Sequence, residues 1–146
     1  MPQLRIEQPH GDDALRDWQR VHNEIIPTAV LSLDDVRERA GRNHLEVAYL
    51  GDDAVGCTTV RPPEGDEATA TVIARVLPAH RGRGFGAQLY ERGLGAARGM
   101  GAGVVETVVL ASNEAGLRFA ERHGFVEVER YVLPGDTIPF VTLRLP

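Results

Sequence analysis

The feature that most restricts the fold is a change of hydrophobic period around one glycine-studded segment. The run "EATATVIARVLP" ends at Pro78 and reads as a strand. Behind it "RGRGFG" (residues 81–86) opens a helix from about residue 84 to 99, and Phe85, Leu89, Gly93, Ala96, Ala97 and Met100 track one face. Gly99, Gly101 and Gly103 stop that helix. The β-branched run "VVETVVL" at Val104–Leu110 then has the pattern of a buried parallel strand. Residues 69–77, the helix and Val104–Leu110 therefore form one right-handed β–α–β crossover with parallel strands.

Everything else alternates differently. Residues 4–8, "LRIEQ", read as a short strand, and "ALRDWQRVHNEI" as a helix capped by Asp12 or Asp13. Ser32 and Asp35 form a variant capping box for a second helix, which Gly41 ends. "HLEVAYLG", "AVGCTTVRP" and the strand before Pro78 are separated by Gly51-Asp52-Asp53 and by Pro62–Asp66, the links of an antiparallel meander. After the crossover, Asn113 caps "EAGLRFAERHG", Gly124 terminates it, and "FVEVERYVL" and "IPFVTLRL" are two final strands. The expected class is α+β: a mostly antiparallel twisted sheet of about seven strands with one parallel step and about four helices, in the order βααβββαβαββ. Residues 1–146 are expected to form a single domain.

Composition narrows the chemistry. The net charge of −5 argues against a general nucleic-acid binder. No segment is apolar enough to span a bilayer, and the N-terminus lacks a secretory h-region, so a cytoplasmic location is expected. The 16 basic residues are all Arg, which removes lysine catalysis from consideration. Cys57 is the single cysteine; inside "AVGCTTV" it reads as a core residue rather than a nucleophile. No metal site is expected.

Physically, "RGRGFG" reads either as a glycine-rich turn with two solvated arginines or as a cradle for a phosphate. Glycine lets backbone N–H groups approach a ligand closely, and the first helical turn leaves those groups unpaired. The helix dipole and the side chains of Arg81 and Arg83 favour an anion at the same point. Two ligands compete. Gly82, Gly84 and Ala87 satisfy the dinucleotide pattern G-x-G-x-x-G/A, with Glu106 at about the right distance, but an antiparallel meander precedes the motif where repeated βαβ units belong.

The stretch "RVLPAHRGRGFGAQLYERGL" closely resembles the acetyl-CoA signature of the GNAT superfamily of N-acetyltransferases, V-x-P-x-x-R-x-x-G-x-G/A. Val76, Pro78, Arg81, Gly84 and Gly86 fall on its fixed positions, and Leu89 follows in place. "NEAGLRFAERHGF" resembles the second motif of that family, with Asn113, Phe119, Gly124 and Phe125 matching. The resemblance implies an enzyme that moves an acetyl group from acetyl-CoA to a primary amine by direct attack. The acceptor would be a small molecule or a peptide. By that resemblance, Val76 and its neighbours hold the pantetheine arm, and an N–H near Leu77 polarises the thioester. Residues 82–87 (Gly82, Arg83, Gly84, Phe85, Gly86, Ala87), with Arg81, hold the pyrophosphate, and Asn113 and Phe119 contact the cofactor from the second motif. A homodimer through the last two strands is also implied.

The chain departs from the family pattern at two positions. Ala120 stands where the family has its usual acid, a Tyr, and Gly116 replaces an Ala. Catalytic residues thus stay open. Glu24 and His22 lie near the end of the first helix, Tyr90 and Tyr131 are tyrosines without an assigned place, and Glu67 begins the cofactor strand. Arg75, a charge inside an apolar strand, either pairs with a carboxylate or reads an anionic acceptor. A non-catalytic acyl-CoA-binding module is the alternative that Ala120 keeps open. A dinucleotide enzyme is the other.

Overall fold

The computed structural model describes residues 3–146. One seven-stranded sheet runs through it. Its elements in chain order are β1 (Leu4–Glu7), α1 (Asp12–Ile25), α2 (Leu33–Arg42), β2 (His44–Leu50), β3 (Asp53–Glu64), β4 (Thr69–Val76), α3 (Phe85–Gly99), β5 (Val104–Leu110), α4 (Glu114–Arg122), β6 (Val126–Tyr131) and β7 (Phe140–Leu145). A single 3-10 turn, Pro78–His80, links β4 to the glycine-rich segment. The expected order is the observed one.

The strand order is β1-β2-β3-β4-β5-β7-β6, and only β4 and β5 run parallel. Their pairing is short. It joins Thr69 to Val104, Ala70 to Val105 and Thr71 to Glu106, and then stops. Beyond Thr71 the antiparallel β4 stays on β3 as far as Gly56–Val76, while β5 stays on β7 through Leu110–Phe140. The sheet therefore forks at its centre.

Alternation along the strands divides the core into two faces. Leu45, Val47, Cys57 and Leu77 pack with Trp18, Val21 and Val36 under α1 and α2. Ala48, Val55 and Val76 face the other way, onto Phe85 and Leu89 of α3. Trp18 is fully buried and donates its indole N–H to the Thr58 carbonyl at 3.1 Å, which ties α1 to the middle of β3. On the opposite face, Glu46 of β2 is 4% exposed and accepts two bonds from Arg92 of α3, at 2.9 and 2.7 Å. The helix α3 sits close to the sheet because Gly93 has no side chain: a Cβ there would lie 2.7 Å from Val72 Cγ1.

Local expectations hold in part. Ser32 and Asp35 make the full capping box, and Asn113 caps α4 by accepting from the Gly116 N–H at 3.0 Å. Gly11, not Asp12 or Asp13, is the N-cap of α1; the two aspartates lie in its first turn, beside the positive end of the dipole. Gly41 does not end α2, which continues through Arg42. The strand β3 runs on through Pro62 and Pro63, read above as a turn. The register breaks between Arg61 and Glu64, so neither proline has to supply a ladder N–H. Among the described residues no helix is long and apolar enough to cross a membrane.

Candidate active site

The fork between β4 and β5 opens into a cavity of about 440 Å³. One wall is β4 from Val72 to Val76; the other is Thr107–Leu110 together with the start of α4. The first turn of α3 closes one end, and Ile25 and Ile26 from the end of α1 reach the other.

The two-residue alternation of β4 decides which backbone groups face this gap. The Leu77 N–H donates to the Val55 carbonyl at 2.9 Å, toward β3. The Leu77 N–H is thereby committed within the sheet, so an N–H near Leu77 that faces the gap has to come from a neighbouring residue. The neighbouring N–H of Val76 points to the opposite edge, where β5 has diverged, and so does that of Ala74. Val76 also supplies an acceptor, since its carbonyl receives the Arg81 Nε–H at 2.9 Å. The guanidinium of Arg81 is thereby fixed beside the cleft, which it lines.

The cradle at the head of α3 is built as its sequence requires. Gly82 and Gly84 have φ of +77° and +82°, a region that L side chains rarely adopt. Gly84 is the N-cap in a left-handed conformation, and no side chain caps the helix. The first intrahelical bond is Gln88 N–H to the Gly84 carbonyl, at 3.2 Å. The N–H groups of Phe85, Gly86 and Ala87 are thus free to meet an anion. Gly86 sits so near α4 that a Cβ there would be 3.3 Å from the Phe119 ring. The guanidinium of Arg83 lies 5.1 Å from the centre of the Phe85 ring.

Of the residues expected to bind cofactor, Val76, Arg81, Gly82, Gly84, Phe85, Gly86, Ala87, Asn113 and Phe119 all line the cavity, whereas Leu77, Pro78 and Arg83 stand just outside it. Asn113 combines its capping bond with a place on the wall. Gly116 suits this arrangement, because a Cβ would fall 2.6 Å from the Asn113 amide nitrogen.

The catalytic candidates separate more sharply. Arg75 lines the cavity; Glu24 does not and is exposed. Tyr131 is stacked on Phe140 at the far edge of the sheet, with ring centres 5.7 Å apart. Ala120 is 3% exposed, in one buried cluster with Tyr90 and Phe125. Tyr90 is the tyrosine that lines the cleft, edge-on to Phe119 at 6.2 Å and 5.0 Å from His123. Burial raises its pKa further above the ordinary phenol value. Helical periodicity alone could have put Tyr90 on the core face; its place at the cleft depends on how α3 meets α4. His80 was not foreseen either: it lines the cavity, and its Nδ1 is buried without a partner. Cys57 is fully buried, and its thiol is pushed up to about 12, which suits a core residue rather than a nucleophile.

This fold and forked site define an acyltransferase architecture, and the family comparison agrees. The chain belongs to the acetyltransferase (GNAT) family, whose model matches residues 8–125. Similar solved structures include the Salmonella typhimurium protein yncA with its cofactor acetyl-CoA, at 18% identity and TM-score 0.76, covering 97% of this chain and 92% of that one. An N-acetyltransferase from Staphylococcus aureus is similar over 98% of both chains, at 16% identity and TM-score 0.77. Arabidopsis thaliana NAA60 in complex with a bisubstrate analogue covers 97% of each chain, at 16% identity and TM-score 0.77. No curated protein matched the sequence significantly.

Proposed function

We propose that this chain, as one domain, transfers the acetyl group of acetyl-CoA to the primary amine of a small molecule or peptide by direct attack. The observation that carries this reading is the fork itself. Where β5 leaves β4, the open edge at Ala74 and Val76 can pair with the amide-bearing arm of the substrate as an added strand would. The free N–H groups of residues 85–87, with Arg81 and Arg83 beside them, suit its pyrophosphate.

In this reading the amine attacks the thioester carbonyl from the α1 side of β4. The Val76 N–H donates to the oxygen as it becomes an oxyanion. Collapse of the tetrahedral intermediate breaks the C–S bond and forms the amide as the nitrogen sheds its second proton, which replaces the one given to the thiolate. No carboxylate lines the cavity among the described residues, and in this reading the first proton of the ammonium leaves to water before attack. Tyr90, held protonated, is the group assigned to the departing thiolate in place of the tyrosine missing at position 120. Calorimetric titration with acetyl-CoA, followed by thiol release with a panel of amines, tests the whole reading. It fails if no heat appears at high-micromolar acetyl-CoA, and the non-catalytic alternative stands if binding occurs without release.

A homodimer through the last strands belongs to the same proposal. The edge strand β6 leaves Val126 and Val128 56% and 50% exposed. Sedimentation velocity of the wild-type chain and of Val128→Lys tests it, a shift from dimer to monomer being the expected result.

A further inference from the structure

Arg75 sits on the face of β4 that looks toward α1, directly across the ladder from the buried Cys57. It is only partly exposed, and what it meets is the cavity. No carboxylate lies within ion-pair distance of it, and no side-chain hydrogen bond reaches it, among the described residues. The charged groups that act on it are Arg39 of α2 and Arg61 of β3, both also cationic and, among the described residues, both without an ion-pair partner. His22 of α1, which feels the charge of Arg75, is neutral. Three guanidiniums thus gather on one face of a chain whose net charge is −5. Partly burying an unpaired cation is costly, and the usual remedy is a counter-ion. The protein supplies none here.

The anion cradle of α3 cannot be that remedy. Val72, Ala74 and Val76 point to the α3 side of β4, whereas Ile73, Arg75 and Leu77 point to the α1 side. The pyrophosphate cradle and Arg75 therefore lie on opposite faces of one strand. The cavity that Arg75 lines is otherwise largely apolar on this side, with Ile25 and Ile26 from the end of α1 and Ile73 of β4 in its wall. A single charge in such a wall orients a ligand by its own counter-charge.

We propose that Arg75 is the specificity-determining residue of the acceptor pocket, and that it selects a small primary amine carrying a carboxylate or an equivalent oxyanion. The guanidinium pairs with the oxyanion while the amine faces the thioester beside Val76. This deepens the acetyl-transfer reading and rests on it.

The test uses the intact chain loaded with acetyl-CoA and acid–amide pairs of amino compounds: glycine, alanine, methionine, phenylalanine and glutamate against the corresponding amides. Thiol release and the melting temperature of the CoA-loaded protein are both read. The expected result is a preference of at least about tenfold in kcat/KM for the acids, with a melting shift that the amides lack. In Arg75→Met that acid–amide ratio collapses toward one, chiefly through KM, and Arg75→Lys restores part of it. Calorimetry with acetyl-CoA separates the two readings. Absent CoA binding in the wild type overturns acetyl transfer itself. Normal CoA binding with equal handling of acids and amides, or with neither recognised, overturns the role of Arg75, as does a fall in kcat that is the same for every acceptor.

Discussion

His22 makes the fold acid-sensitive at a single, identifiable place. It is 4% exposed, stacked on Trp18 with ring centres 5.3 Å apart, and its Nδ1 meets the Asn23 side-chain oxygen at 3.0 Å. Burial, chiefly, and the charges of Arg75 and Arg39 push its pKa down from 6.5 to about 4; the bond to Asn23 opposes them. The folded chain therefore keeps His22 neutral down to about pH 4, whereas the unfolded chain takes up a proton near pH 6.5. Between those values the unfolded state binds more protons, so stability is full above pH 6.5 and falls as the pH drops toward 4. The gap from 6.5 to about 4, at 1.36 kcal/mol per pH unit, corresponds to about 3 kcal/mol as an upper bound. Screening from the solvated end of α1 reduces this to about 2 kcal/mol, most of it lost by pH 5. Urea unfolding, followed by fluorescence of the single Trp18, measures it at pH 7.5 and pH 5. His22→Gln removes the titrating group and keeps a donor for Asn23. The wild type should lose about 1.5 kcal/mol more than the variant between the two pH values. Parallel losses would refute the reasoning, because the carboxylates common to both proteins would then explain the whole effect.

Other perturbations follow from the same geometry. Gly93→Ala forces a Cβ against Val72, so overpacking of about 1–3 kcal/mol should exceed the gain of about 1 kcal/mol in helix propensity, lowering the urea midpoint. Arg92→Ala leaves the buried carboxylate of Glu46 with only His44, 3.7 Å away, as a partner; with Arg92 half-exposed, a loss of about 1–3 kcal/mol is expected in the same assay. Gly84→Ala places a side chain at φ +82°, and acetyl-CoA affinity should fall about tenfold in calorimetry as the cradle distorts. Tyr90→Phe should lower kcat about three- to tenfold with KM for acetyl-CoA little changed, read by thiol release.

Much of this was legible in the sequence, and the parts that were not share a cause. The crossover from residue 69 to 110, the capping box at Ser32 and the cradle at Gly82–Gly84–Gly86 are local patterns, fixed within a few residues of chain. The phase of β4 is different. Whether Leu77 or Val76 offers its N–H to the cleft depends on which edge β3 occupies, and one step along the strand reverses the answer. The same non-locality hid the carbonyl of Val76 as the partner of Arg81 and the pairing of Glu46 with Arg92, a residue 46 positions away. Pro62 and Pro63 looked like a turn because proline breaks ladders. They sit in β3 because its register breaks where they lie. Tyr90 and His80 gained a place in the site only when α3, α4 and β4 met around the fork.

The central claim is that acetyl-CoA lies in the fork between β4 and β5 with its phosphates at the head of α3. Amide-resolved NMR titration with acetyl-CoA tests it most directly. The largest shifts should fall on Ala74 and Val76 and on the N–H groups of residues 84–87, while β1 and the exposed strand β6 stay unchanged. Saturable binding that moved β1 or β6 and left Val76 and Gly84 untouched would contradict the account.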